Sequence, residues 1–122
     1  MKRVEDAIHR TVVEHLRTRG VPNMVFFHVP NGGKRSKVEA AILKGFGVRA
    51  GVSDLIIIHR GRVYALELKA PNGRPTKEQM QFMSDLNLAG GFGCIAEGLD
   101  QAICVLECWG LLRGKASIGR AA

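Results

Sequence analysis

Two apolar, β-rich runs that meet at a short turn constrain this chain more than any other feature. Ser53 to His59 and Arg62 to Ala70 join at Arg60-Gly61-Arg62, which predicts an antiparallel hairpin. Three residues interrupt the pattern without a structural reason. Asp54 opens the first strand, and Glu67 and Lys69 break the second. Side chains alternate along a strand, so Glu67 and Lys69 share one face while Leu66 and Leu68 take the other. The antiparallel return brings the start of one strand near the end of the next, so Asp54 is expected beside Glu67 and Lys69. Burying such charges costs several kcal/mol each unless they pair or meet a metal.

The remaining pattern supplies the frame. Val4, Ile8, Val12 and Leu16 recur at helical spacing, with Ala7 and Val13 beside them, predicting a helix from about Lys2 to Arg19 that Gly20 and Pro22 stop. Met24 to Val29 reads as a strand, ended by Pro30-Asn31-Gly32-Gly33, and Val38 to Lys44 reads as a helix closed by Gly45 and Gly47. Thr76 is a good N-cap for a helix to about Ala89, with Glu78 in its first turn. Phe92 to Ala96 follows as a strand and Leu99 to Cys108 as a helix. The order α-β-α-β-β-α-β-α predicts an α/β domain, a mixed β-sheet flanked by helices. A chain of 122 residues has room for one core. We expect that domain over residues 1–110, and a basic tail over 111–122, rich in Gly and Ala, that frays.

With 46% hydrophobic and 24% charged residues, wholesale disorder is excluded. No apolar run approaches the roughly 20 residues that cross a bilayer, and no membrane association is expected. The first residues lack the apolar core of a signal peptide. An odd cysteine count of 3 fits a reducing cytosol rather than a disulfide framework, so a cytoplasmic location is expected.

Net charge is +7 and unevenly spread. Residues 1–50 carry ten basic and four acidic side chains, residues 51–110 five and seven, and the tail three more basic ones. Such a surface suits a polyanion, whose phosphates Lys and Arg neutralise with counterion release. Two adjacent carboxylates form a hard-oxygen site suited to Mg²⁺ or Mn²⁺. A cation there activates a bound water and offsets charge on a phosphoryl group, and Lys69 stabilises the same charge. These are the parts of a hydrolytic phosphodiester cut. The alternative from the residues alone is a Glu67–Lys69 pair on a solvated sheet face, with Asp54 as a turn residue.

Gly51-Val52-Ser53-Asp54, Glu67-Leu68-Lys69 and Gln79 on the next helix together resemble the PD-(D/E)xK nuclease superfamily. More narrowly, the chain is similar to the VRR-NUC family, the virus-type replication-repair nuclease domain. Glu5, the segment His28 to Arg35, and Lys44-Gly45-Phe46-Gly47 fit the same family, so the likeness runs from about Glu5 to Glu97. It implies a restriction-endonuclease-like core and a metal-dependent DNA endonuclease selective for Holliday junctions or flaps in replication, repair or recombination, encoded by a bacterium or phage and acting as a homodimer on branched DNA. It implies metal ligation by Asp54, Glu67 and the Leu68 backbone carbonyl, with Lys69 as the catalytic lysine. Gln79 would support the site from the following helix and Glu5 would reach it from the first. Ser53 departs from the family's usual proline before the aspartate. A binding module of the same fold without catalysis, a restriction-type enzyme and an RNA nuclease are the alternatives.

Asn31, Lys34 and Arg35 form a Gly-hinged basic loop suited to gripping a phosphate, with His28 beside it. Arg49, Arg74 and Lys77 flank the site as further DNA contacts. Cys94, Cys104 and Cys108 are read as core residues, because zinc wants four ligands in tighter pairs. Phe82, Met83, Leu86 and Leu88 are read as core, some of them left for a dimer face. Trp109-Leu111-Leu112 is either an exposed dimer patch or a lid on the core. The spacing of a P-loop is absent after Gly32, so no nucleotide cofactor is expected.

Overall fold

A computed structural model describes residues 2–30 and 35–114. The expected order is borne out: α1 (Lys2–Arg19), β1 (Met24–His28), α2 (Lys37–Gly45), β2 (Leu55–His59), β3 (Arg62–Lys69), α3 (Lys77–Leu88), β4 (Phe92–Glu97) and α4 (Leu99–Cys108). One four-stranded sheet runs β1-β2-β3-β4. The first two pairings are antiparallel and β3 with β4 is parallel, so the sheet is mixed.

The hairpin turns through Arg60 and Gly61, both at positive φ. That conformation matches the right-handed twist of the flanking strands and fixes the register His59↔Arg62 through Leu55↔Leu66. Residues 64–70 are all buried, so β3 does not alternate between core and solvent as a one-faced strand would. Paired on both sides and covered on both faces, it carries Glu67 and Lys69 into the interior.

On α1 the inward stripe is Ile8, Val12 and Leu16, which packs with Leu55, Ile57, Leu66, Leu68 and with Ala102, Ile103 and Leu106 of α4. Fully burying such side chains contributes about 1.5 to 3 kcal/mol each. Where α1 ends, a Cβ on Gly20 would stand 2.3 Å from the Leu16 carbonyl oxygen.

The chain after Gly110 was expected to fray; its first residues are docked instead. Leu111 and Leu112 are buried, Val21 N–H donates to the Leu111 carbonyl at 3.1 Å, and Gly20 bridges to Leu112. Arg19 secures the crossing, pairing with Glu107 at 2.8 Å and donating to the Arg113 and Gly114 carbonyls. Trp109 packs at a tilt against Tyr64, 5.1 Å between ring centroids, so this segment closes the core. Residues 115–122 lie outside the described residues.

Two readings of side-chain placement are corrected. Cys104 and Cys108, expected in the core, are exposed, because the inward stripe of α4 falls on Ala102, Ile103 and Leu106; Cys94 on β4 is half-buried and packs against the core as expected. On α3 only Met83 is buried, and Leu88 is 85% exposed.

Candidate functional site

Gly51 sets the entry to the site. Its φ is +84°, and a Cβ there would lie 2.3 Å from the Glu78 carbonyl oxygen, so only glycine lets the backbone pass this close to the first turn of α3. Ser53, at the position where proline was expected from the resemblance, is fully buried with its hydroxyl 3.9 Å from the Met83 sulfur. Asp54 follows at the mouth of β2.

Asp54 and Glu67 are reciprocally tied. The Asp54 backbone N–H donates to Glu67 Oε1 at 3.2 Å, and the Leu68 N–H donates to Asp54 Oδ2 at 2.9 Å. Lys69 Nζ lies 3.7 Å from Glu67 Oε2. Glu67 is only 3% exposed and Lys69 8%. Burial, and next the Asp54 charge, push the Glu67 carboxyl up to about 8 against the opposing pull of Lys69.

Gln79 reaches this pair from the start of α3. Thr76 and Gln79 form a capping box: Gln79 N–H donates to Thr76 Oγ1 at 3.1 Å, and Thr76 N–H donates to Gln79 Oε1 at 2.9 Å. With its oxygen committed, the amide turns its Nε2 to donate to Glu67 Oε2 at 2.9 Å. Helix start and buried carboxylate are thus wired through one side chain.

Outside Asp54 opens a cavity of about 400 Å³ lined by Glu5, Asp6, His9, Arg10, His28, Asp54 and Leu68. Glu5 therefore shares a cavity with Asp54, as its position on the inner side of α1 implied. His28 sits across from Leu55, its Nδ1 2.8 Å from the Asp54 carbonyl. A carbonyl only accepts, so Nδ1 carries the proton. His9 meets the His28 ring edge-on at 4.6 Å, and burial followed by the nearby His28 lowers its pKa. His9 was missed in the sequence; its spacing of four from Glu5 places both on one helix face, which was the available signal.

A second cleft, about 720 Å³, is lined by Arg35, Lys44, Arg49, Gly51 and Gln79 among others. Arg35 is exposed there, as are Arg74 in the loop between β3 and α3 and Lys77 at the first residue of α3. Arg49 is engaged by the Asp85 carboxylate and lies over the Phe82 ring at 5.3 Å. Asn31 and Lys34 lie outside the described residues.

The donor set fits a hard divalent cation. Asp54 and Leu68 reach the cavity wall, and Glu67 is anchored directly behind them. The Asp54 charge adds to the cost of ionising the buried Glu67, and Lys69 offers a single compensating charge.

Compared with solved structures, the chain is similar to a VRR_NUC domain protein at a TM-score of 0.72 and 28% identity, covering 90% of this chain and 91% of that one. It also matches a structure titled VRR_NUC domain at a TM-score of 0.60 and 15% identity, covering 84% and 94%; at that identity the likeness is one of fold. No family model and no curated protein matches the chain. The fold is therefore that of a nuclease-type domain, built on a restriction-endonuclease-like α/β core. Within that class, the more similar of these two structures is a VRR_NUC domain protein, the family that the motifs of this chain resemble.

Proposed function

We propose that this chain is a metal-dependent DNA endonuclease, selective for branched DNA and acting as a homodimer. The carrying observation is the pair of linked carboxylates, Asp54 and Glu67, with Lys69 beside them at one end of the central hairpin. Asp54, Glu67 and the Leu68 carbonyl would hold Mg²⁺ or Mn²⁺, which when bound lowers the pKa of a water and offsets charge on the phosphoryl group.

The chain's own residues do the rest. Glu67 carries negative charge to the metal position and is oriented by the Asp54 N–H and Gln79 Nε2. Lys69 brings its ammonium to the same place, where it stabilises charge developing on the phosphate. Glu5 contributes a further carboxylate to the cavity wall and orients water. Arg35, Arg74 and Lys77, with Asn31, Lys34 and His28, hold the DNA backbone.

An exposed apolar sheet face supports the dimer. Val25 pairs with Ile58, and Ile58 with Val63, and these three with Phe27 are 37% to 59% exposed. A two-fold arrangement would present two active sites to the symmetric strands of a junction.

The test is incubation of purified protein with end-labelled four-way junction, flap, linear duplex and single strand, each with Mg²⁺, Mn²⁺ or EDTA. Metal-dependent cuts confined to branched substrates are expected. Binding without cuts under any metal would replace the enzyme with a binding module.

A further inference from the structure

Two histidines stand where carboxylate chemistry alone would not call for them. One ring nitrogen each of His9 and His28 and a carboxylate oxygen of Asp54 all lie within 4.8 Å of one another. They come from three elements far apart in sequence: the second turn of α1, the last residue of β1 and the entry to β2. All three line the 400 Å³ cavity, so an ion has room and solvent access.

Their orientation is partly fixed. Because His28 Nδ1 donates to the Asp54 carbonyl, the lone pair is left on Nε2. A hydrogen bond from the other ring nitrogen is what normally sets the tautomer of a ligating histidine. Atoms bonded to one ion at about 2.1 Å lie no more than about 4.2 Å apart, so small side-chain rotations of His9 and Asp54 complete the set.

We infer that His9, His28 and Asp54 form a binding site for a transition-metal dication. Imidazole suits zinc, iron, nickel and copper, whereas magnesium prefers oxygen. The cavity therefore discriminates between metals, taking a transition metal on a two-histidine, one-carboxylate face. The site shares Asp54 with the nuclease reading but does not depend on it.

The test uses the intact chain and Zn²⁺ as the probe, observed through imidazole ¹⁵N shifts. The chain has 4 histidines, so His15 and His59 serve as internal controls; His15 Nδ1 is already engaged by Arg19 at 3.0 Å. Saturating Zn²⁺ should give one ring nitrogen of His9 and one of His28 the large shift of direct ligation and leave the controls in place, while Mg²⁺ gives none of the four a shift of that size. His9→Gln and His28→Gln should each weaken Zn²⁺ binding by at least about 10-fold, and His59→Gln should not. Unmoved His9 and His28 nitrogens at saturating Zn²⁺ would overturn the inference, a result obtained on wild-type protein and so independent of whether the variants fold. A chain that cuts DNA with Mg²⁺ yet shows no such shifts would lose this site and keep its nuclease reading. One that shows the shifts and cuts nothing would do the reverse.

Discussion

Replacing Glu67 with Gln should change how stability responds to pH, and the structure sets the size of the change. The carboxyl is pushed from an ordinary value near 4.5 up to about 8, so between those values the folded chain holds a proton that the unfolded chain has released. Unfolding free energy then falls as pH rises, by about 1.4 kcal/mol per pH unit at most. Across the window from 4.5 to about 8 the wild type loses up to about 5 kcal/mol, and Glu67→Gln, which does not ionise, avoids that loss. The amide has its own cost. With Asp54 N–H on one side and Gln79 Nε2 on the other, both donors, the new NH₂ faces one of them whichever way it turns, at about 1 to 3 kcal/mol. That mismatch is constant with pH, so the informative quantity is the slope of the difference between variant and wild type. Urea unfolding in EDTA at half-unit pH steps should show the variant gaining on the wild type steadily through the window, then running parallel above pH 8. Two curves parallel throughout would refute the account of Glu67 as a buried carboxylate strained by its neighbour.

Other outcomes follow from the same geometry. Asp54→Ala, Glu67→Ala or Lys69→Ala should each reduce cleavage at least about 100-fold while gel-shift affinity for junction DNA survives; near-wild-type cutting in any one of them removes that residue from the chemistry. Mg²⁺ or Mn²⁺ at 100 times its dissociation constant should stabilise the chain by about 2.7 kcal/mol, an effect seen in thermal melts, reversed by EDTA and missing in Asp54→Asn. Below pH 8 the binding should release protons as Glu67 ionises. Titration calorimetry in buffers of different ionisation enthalpy would register this as a buffer-dependent heat, and identical heats would count against it. Leu111→Ala, at a fully buried position, should cost about 2 to 5 kcal/mol in urea unfolding, whereas a freely fraying tail would show almost no change.

Some of this architecture could be read directly from the chain, for definite reasons. The hairpin was legible because an apolar run with period-two interruptions, turned by Arg-Gly, has few other solutions, and the meeting of Asp54 with Glu67 and Lys69 follows from the antiparallel return. Thr76 was legible as a cap because helix starts demand a side-chain acceptor. The link from that cap to Glu67 was not, since it depends on which end of the Gln79 amide the cap consumes. His9 stayed hidden for a similar reason: helical periodicity puts it near the edge of the apolar stripe, and only the placement of β1 against α1 brings His28 to it. The docking of Leu111 and Leu112 was hidden behind a composition of Gly, Ala and basic residues that usually marks a loose end. Arg19 pins that segment by its hydrogen bond to the Arg113 carbonyl, ninety-four residues away, a distance no local pattern reports.

The capping box at the head of α3 limits which substitutions the chain tolerates. A helix start accepts Glu or Gln equally at the third position, since either offers an oxygen to the cap. Here the other half of that side chain faces a carboxylate, so only the amide will do. Helix formation alone would let position 79 drift between the two residues, but the buried acid next door forbids one of them. A Glu there would leave α3 intact and set a third negative charge against Glu67. Selection on the site would then show at a residue whose local structural duty either side chain fulfils.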